Sequence, residues 1–200
     1  MSKVLWKPAA ILNPVPLVMV SCTDGNGKNN IITVAWAGTI NSEPPMLSIS
    51  VRPERFSYNM IKDTGEFVVN LVNERLVRAA DYCGVKSGRN VDKFSELNLT
   101  PGKASMVKAP IIEESPVSIE CRLKETVKLG SHDLFIAEIV AVNVDEELIN
   151  EDGKLELPKS KPAVYSHGEY WGLSKPLGFF GFSVAKGKTL KRKNLTRKTK

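Results

Sequence analysis

The sequence is poor in the residues from which most metal and hydrolytic sites are built. Its 200 residues include two histidines and three cysteines. His132 and His167 have no ligand at helical or zinc spacing, so no metal site is expected. Cys22, Cys83 and Cys121 are odd in number, widely separated and free of any CxxC pair. That excludes a disulfide framework or a zinc ribbon and fits reduced thiols. There is no GxSxG elbow and no GxxxxGK[ST] loop. No stretch approaches the length of a membrane span. The start, MSKVLWKPAAILNP, lacks the apolar region and cleavage site of a secretory signal. These absences predict a soluble, cytoplasmic protein without metal, nucleophilic triad or membrane contact.

Aromatic residues are also scarce, at 7%, and the body of the chain lacks a basic excess. The formal charge is +6, but residues 186–200 (KGKTLKRKNLTRKTK) hold eight Lys/Arg and no acid. Without them 20 basic residues face 22 acidic ones. Such a tail can touch nucleic acid through phosphates. The plainer reading is a solvated terminus that aids solubility. The expected division is therefore one domain over 1–185 and a basic tail over 186–200.

What is present reads as strands. VPLVMVSC (15–22) and IITVAW flank TDGNGKNN, a run of turn residues, and predict a hairpin. GNGKNN holds two glycines of a dinucleotide fingerprint, but the third position is Asn30 and a strand follows. The match fails, since pyrophosphate must meet a helix N-terminus. TINSEPP reads as a connection, MLSISV as a strand and EFVVNLV as another. NERLVRAADYCG suits a helix with Leu76, Ala79, Ala80 and Cys83 on one stripe and Gly84 at its end. GVKSGRNVDKFSELNLTPGK reads as irregular with one helical turn. Two long strands, VSIECRLKETVKLG and HDLFIAEIVAVNVDEEL, meet at Leu129-Gly130-Ser131, and a last short strand surrounds Val164-Tyr165. Many strands, few helices and no βαβ rhythm predict a mainly β, antiparallel barrel.

Residues 47–58, LSISVRPERFSY, carry the chemistry. Period-two alternation stops at Arg52-Pro53-Glu54-Arg55, and a helix begins with Ser57 as its expected cap, running to about Lys62 and stopping near Gly65. A helix N-terminus offers unpaired N–H groups to phosphate, and Ser57, Arg52 and Arg55 can add a donor and charge. On spacing alone, a capped helix start with solvated arginines is the better account, since strand–helix turns with a basic residue are common.

NPVPLVMVSC, NNIITVAWAG, PPMLSISVRPERFSY, EFVVNLV and YSHGEYWGL occur together and in order. From Asn13 to about Phe182 the chain resembles the flavin reductase-like family, and within it the flavoredoxin branch. The resemblance implies a Greek-key split β-barrel that binds FMN, a homodimer, and phosphate at the helix after RPERFSY. Ser57 stands where the family often has threonine. By the same resemblance Asn30 and Trp36, expected on the second hairpin strand, contact the flavin. Lys93 holds a basic position used at the cofactor, and His132, opening the second long strand, matches a family histidine. Tyr165 replaces an aromatic that is often phenylalanine. Amides around Ala35-Trp36 and Ser50-Val51 are expected at the polar edge of the ring.

These expectations make the protein an electron-transfer flavoprotein that carries FMN and a redox partner protein. One alternative is a flavin reductase fed by NAD(P)H, which needs no Rossmann fingerprint if nicotinamide stacks on the flavin. Another, from a different class, is a basic-tailed β-barrel that binds RNA or single-stranded DNA. The slightly acidic body and few aromatics speak against nucleic acid.

Overall fold

Alternation of apolar and polar residues is clearest in the two long segments near position 130, and these form the longest hairpin. The computed structural model describes residues 1–186. Its strands and helices, in chain order, are β1 (Val15–Pro16), β2 (Val18–Thr23), β3 (Asn29–Val34), β4 (Ala37–Ser42), β5 (Pro45–Val51), α1 (Phe56–Thr64) and β6 (Glu66–Leu71). A 3-10 turn at Glu74–Leu76 leads into α2 (Val77–Val85) and the short α3 (Lys93–Glu96). Then come β7 (Pro101–Gly102), β8 (Ile111–Ile112), β9 (Val117–Lys128), β10 (Asp133–Val144), β11 (Ala163–Ser166) and β12 (Glu169–Gly172).

Seven strands form one antiparallel sheet in the order β3-β2-β6-β9-β10-β5-β4. The sheet rolls on itself, because β3 and β5 approach each other and one core joins residues from both. Val20, Ile49, Phe67, Cys121 and Phe135 fill the interior, and Tyr58, Met60 and Ile61 of α1 complete it. This is the mainly β, antiparallel barrel expected from the sequence. β2 is buried at all six positions because its other face is covered too. Leu17 and Met19 pack there with Leu76, Ala80 and Cys83 of the helical layer. A strand covered on both faces reads as a continuous apolar run, as VPLVMVSC does.

Several expected elements differ. TINSEPP is not a plain connection: Ala37–Ser42 is β4, paired with β5 around Glu43-Pro44. Trp36 lies in a bend between β3 and β4 rather than on the hairpin strand. Gly84 does not end α2; the helix runs one residue further. A Cβ at Gly84 would stand 3.3 Å from Cβ of Thr33, so glycine lets α2 lie close on β3. The end of the body is a hairpin of β11 and β12 rather than one strand, and β1 pairs with β11. α1 does stop at Gly65, whose φ of 68° places it in the left-handed region that glycine adopts without strain. The basic tail from residue 187 onward lies outside the described residues.

The three cysteines are free and buried. Among the described residues no group of three potential ligands could hold a metal, and no helix is long and apolar enough to cross a membrane.

Two buried polar contacts hold the barrel to its surroundings. The Tyr58 hydroxyl donates to Asp133 Oδ2 at 2.6 Å, tying α1 to the start of β10. Tyr58→Phe leaves this buried carboxylate short of a donor and should cost about 1.5–3 kcal/mol. Urea unfolding measures it, and an unchanged midpoint would show that the bond contributes nothing. On the outer face of β9, Glu120 accepts from the N–H groups of Ser105, Met106 and Val107 at 2.7, 2.6 and 3.1 Å. Asn143 Nδ2 adds a fourth donor at 2.8 Å.

Candidate functional site

Two adjoining cavities form one cleft beside the N-terminus of α1. The first has a volume of about 450 Å³ and the second about 350 Å³, and they share Ile32, Arg52 and Arg55 along their common edge. Asn30, Arg52, Arg55, Ser57 and Lys93 line the first. Ala35, Trp36, Ser50, His132 and Tyr165 line the second, again with Arg52 and Arg55. The fold thus gathers the ten residues singled out in the sequence onto one surface.

The first cavity is built for negative charge. α1 begins after Arg55, whose backbone is extended, and no side chain caps the helix. Tyr58 N–H donates to the Arg55 carbonyl at 3.0 Å, while the N–H groups of Phe56 and Ser57 have no intrahelical acceptor and carry the positive end of the helix dipole. The first turn holds no acidic residue. Arg52, Arg55, Lys86, Arg89 and Lys93 surround the opening, against the single acid Glu54. Arg52 pairs with Glu54 at 3.2 Å, both exposed. Arg55 Nη1 donates to the Gly84 carbonyl at 3.3 Å and so spans from α1 to α2.

Ser57 is not the cap that the sequence suggests. It is the second residue of α1 and is buried. Its Oγ accepts from Asn30 Nδ2 at 2.8 Å, and the residue lines the cavity.

Lys93 is buried at 3% exposure and lies on the cavity wall, not the surface. Its Nζ donates to the carbonyls of Ile31 and Cys83 at 2.6 and 2.7 Å, tying α3 to β3 and α2. Asp92 caps α3 through the N–H groups of Phe94 and Ser95, which fixes the lysine's entry. Burial lowers the Lys93 pKa from its usual value. The Cys83 thiol beside it is pushed up to about 11 by burial and stays protonated.

The second cavity is aromatic. The rings of Trp36 and His132 lie 4.6 Å apart at 47°. His132 is the last turn residue before β10 rather than its first strand residue. Burial and nearby Arg52 lower its pKa, which favours the neutral imidazole. Tyr165 packs against Tyr170 at 5.7 Å. The Ser50 amide is not free for a ligand, because it donates to the Trp36 carbonyl at 2.9 Å and holds the bend in place.

Sequence reasoning missed the segment 86–89. Arg89 Nη2 donates to the Glu54 carbonyl at 3.3 Å, and its guanidinium lies 5.8 Å from the Phe56 ring. Gly88 packs so tightly that a Cβ there would fall 2.1 Å from Asn30 Oδ1. Lys-Ser-Gly-Arg, basic and glycine-containing, was the signal available.

A family model for the flavin reductase-like domain matches residues 12–174. The chain belongs to the flavin reductase-like family. Among solved members, the flavoredoxin of Desulfovibrio vulgaris (Miyazaki F) is 35% identical, with a TM-score of 0.85 over 93% of this chain and all of that one. The flavoredoxin of Methanosarcina acetivorans is 28% identical, with a TM-score of 0.83 over 95% of this chain and all of that one. An FMN-binding protein of Thermus thermophilus, at 22% identity and a TM-score of 0.73, covers 90% of this chain and 99% of its own and shares the fold. An uncharacterized family relative from Archaeoglobus fulgidus is 31% identical over 142 residues, covering 71% of this chain and 79% of the relative.

Proposed function

We propose that this protein is an FMN-binding, flavoredoxin-like flavoprotein that transfers electrons through its flavin. The supporting observation is the two-ended cleft. One end joins an uncapped helix start to a hydroxyl donor and several cations, and the adjoining end is aromatic. FMN has that same division between phosphate and ring.

The residues fit this cofactor. The N–H groups that open α1, the Ser57 hydroxyl, Arg55 and Arg89 would hold the phosphate. Trp36, His132 and Tyr165 would flank the ring, with Ala35 in the bend between them. Bound FMN supplies the redox chemistry, while the protein supplies orientation, dielectric and charge. Lys93 is a cation in a poorly solvated wall, so it stabilises nearby negative charge more than a surface lysine does. No side chain is needed as nucleophile or acid.

The same reading includes a homodimer in the cytoplasm. Leu173, Leu177 and Phe180 stand exposed at 58%, 85% and 105%, an apolar run that a second copy would cover. The electron donor is a redox partner protein in this reading; steady-state oxidation of NAD(P)H with added FMN would assign the protein to the reductases instead.

Denaturing the purified protein and identifying the released chromophore by chromatography tests the cofactor. FMN is expected. A colourless protein that also takes up no added FMN contradicts the proposal.

A further inference from the structure

Tyr165, which lines the aromatic end of the cleft, is carried on a small sheet outside the barrel. That sheet has the order β1-β11-β12. β1 gives it only two residues, one of them a proline without a backbone donor. At the base of β11 the Ala163 N–H donates to the Val72 carbonyl at 2.9 Å, and the Glu74 N–H to the Lys161 carbonyl at 3.0 Å. On β12 the Tyr170 hydroxyl donates to Asp81 Oδ1 of α2 at 2.8 Å. Among the described residues no other side chain of β11 or β12 hydrogen-bonds to the rest of the protein.

Tyr170 is also the direct cross-strand partner of Tyr165, with the two rings 5.7 Å apart at 58°. A tilted pair of this kind is attractive, so the position of one ring fixes the other. Burial and the Asp81 carboxylate push the Tyr170 phenol up to about 12, so it stays a donor through the neutral range. The helix that holds Asp81 also anchors the other end of the cleft. Arg55 donates to its Gly84 carbonyl and Lys93 to its Cys83 carbonyl. α2 thus supports both the cationic and the aromatic end.

We propose that Tyr170 is a positioning residue, which through Asp81 holds Tyr165 at the aromatic end, in register with the cationic end on the same helix. Its effect on a flavin rests on the FMN reading, whereas its effect on the hairpin does not.

The expected consequences follow from what each part of a ligand meets. A freed hairpin lets Tyr165 leave the ring but does not disturb the start of α1. FMN and riboflavin share the ring, so both should lose affinity to the same extent. The face of an aromatic ring is negative and opposes electrons added to a flavin beside it. Loss of Tyr165 packing should therefore weaken oxidised flavin more than reduced flavin and raise the potential of the bound cofactor. A general loosening of the protein would not move that ratio.

Tyr170→Phe keeps the ring and removes only the donor. Asp81→Leu removes the acceptor, whereas Asp81→Asn keeps an amide oxygen in its place. Both flavins are titrated into the full-length protein and these variants, and Tyr170→Phe is repeated in a Tyr165→Leu background. The potential of bound FMN is measured, and amide exchange at residues 164–171 is followed without flavin.

Tyr170→Phe and Asp81→Leu should each weaken FMN and riboflavin by about five- to tenfold, raise the potential and speed exchange at 164–171. Asp81→Asn should stay within about threefold of the wild type, and Tyr170→Phe with Asp81→Leu should lose no more than either alone. With Tyr165→Leu in place, Tyr170→Phe should have no further effect on flavin. A loss as large in Asp81→Asn as in Asp81→Leu, or a full effect without Tyr165, overturns the proposal. Flavin bound equally by the wild type, Tyr170→Phe and Asp81→Leu removes this proposal and leaves the FMN reading standing. A wild type that takes up no flavin removes the FMN reading and the role at the ring with it, even where exchange shows the hairpin pinned.

Discussion

Glu120→Gln should lower folding stability by about 3 kcal/mol near neutral pH, and the loss should shrink in acid. Glu120 is fully buried on β9. Burial pushes its pKa up, but Asn143 and the amides of Ser105, Met106 and Val107 outweigh that and hold it below the usual value. Glutamine keeps one acceptor oxygen but points an NH2 group at backbone N–H donors, so at least one buried donor is left unpaired. A depressed folded pKa means the ionised form stabilises the native state. That contribution is complete above the unfolded pKa of about 4.3 and disappears as pH falls through the folded value. Urea unfolding of wild type and variant at neutral pH and in acid measures the difference. A gap that is absent or does not narrow in acid contradicts the assignment.

Gly88→Ala should damage the cleft more than the barrel. The new Cβ would lie 2.1 Å from Asn30 Oδ1, 2.6 Å from its Cγ and 2.8 Å from Phe56 Cδ1. No left-handed φ is involved, so the effect is purely one of space. Asn30 must yield, and with it the hydrogen bond that orients Ser57. FMN affinity should fall about tenfold or more, with about 1–3 kcal/mol lost in stability from overpacking. Gly38→Ala, where no atom lies within 4 Å, is the control and should leave FMN binding unchanged. Fluorescence titration with FMN reads both, and wild-type affinity in Gly88→Ala would show that the segment 86–89 does not shape the site.

The barrel was legible where alternation or buried runs mark strands, as in β2, β5 and β10. β4 was hidden because Asn41, Ser42 and the flanking prolines are turn formers; the strand is exposed and pairs only with β5. In an alternating strand Glu120 faces away from Ile119 and Cys121. It is buried because residues 103–110, too irregular to place from sequence, fold over that face. Arg52, Arg55 and Ser57 stood out because three polar groups crowd one strand–helix junction. Ser57 nevertheless sits two residues past the cap position, which Arg55 holds, its hydroxyl oxygen engaged by Asn30 from 27 residues away. Arg89 and Gly88 matter through contacts with Glu54 and Asn30, which local patterns do not reveal.

The most direct test of the FMN site is a pair of titrations, FMN and riboflavin, into the wild type and Ser57→Ala. The two ligands share a ring and ribityl chain and differ in the phosphate. Loss of the Asn30–Ser57 bond affects both equally, so the difference between them isolates the phosphate. Ser57→Ala should weaken FMN by about 1.5–3 kcal/mol, or roughly one to two decades, and leave riboflavin nearly unchanged. Equal affinities of wild type and variant for FMN, or an equal loss for both flavins, would contradict phosphate binding at the start of α1.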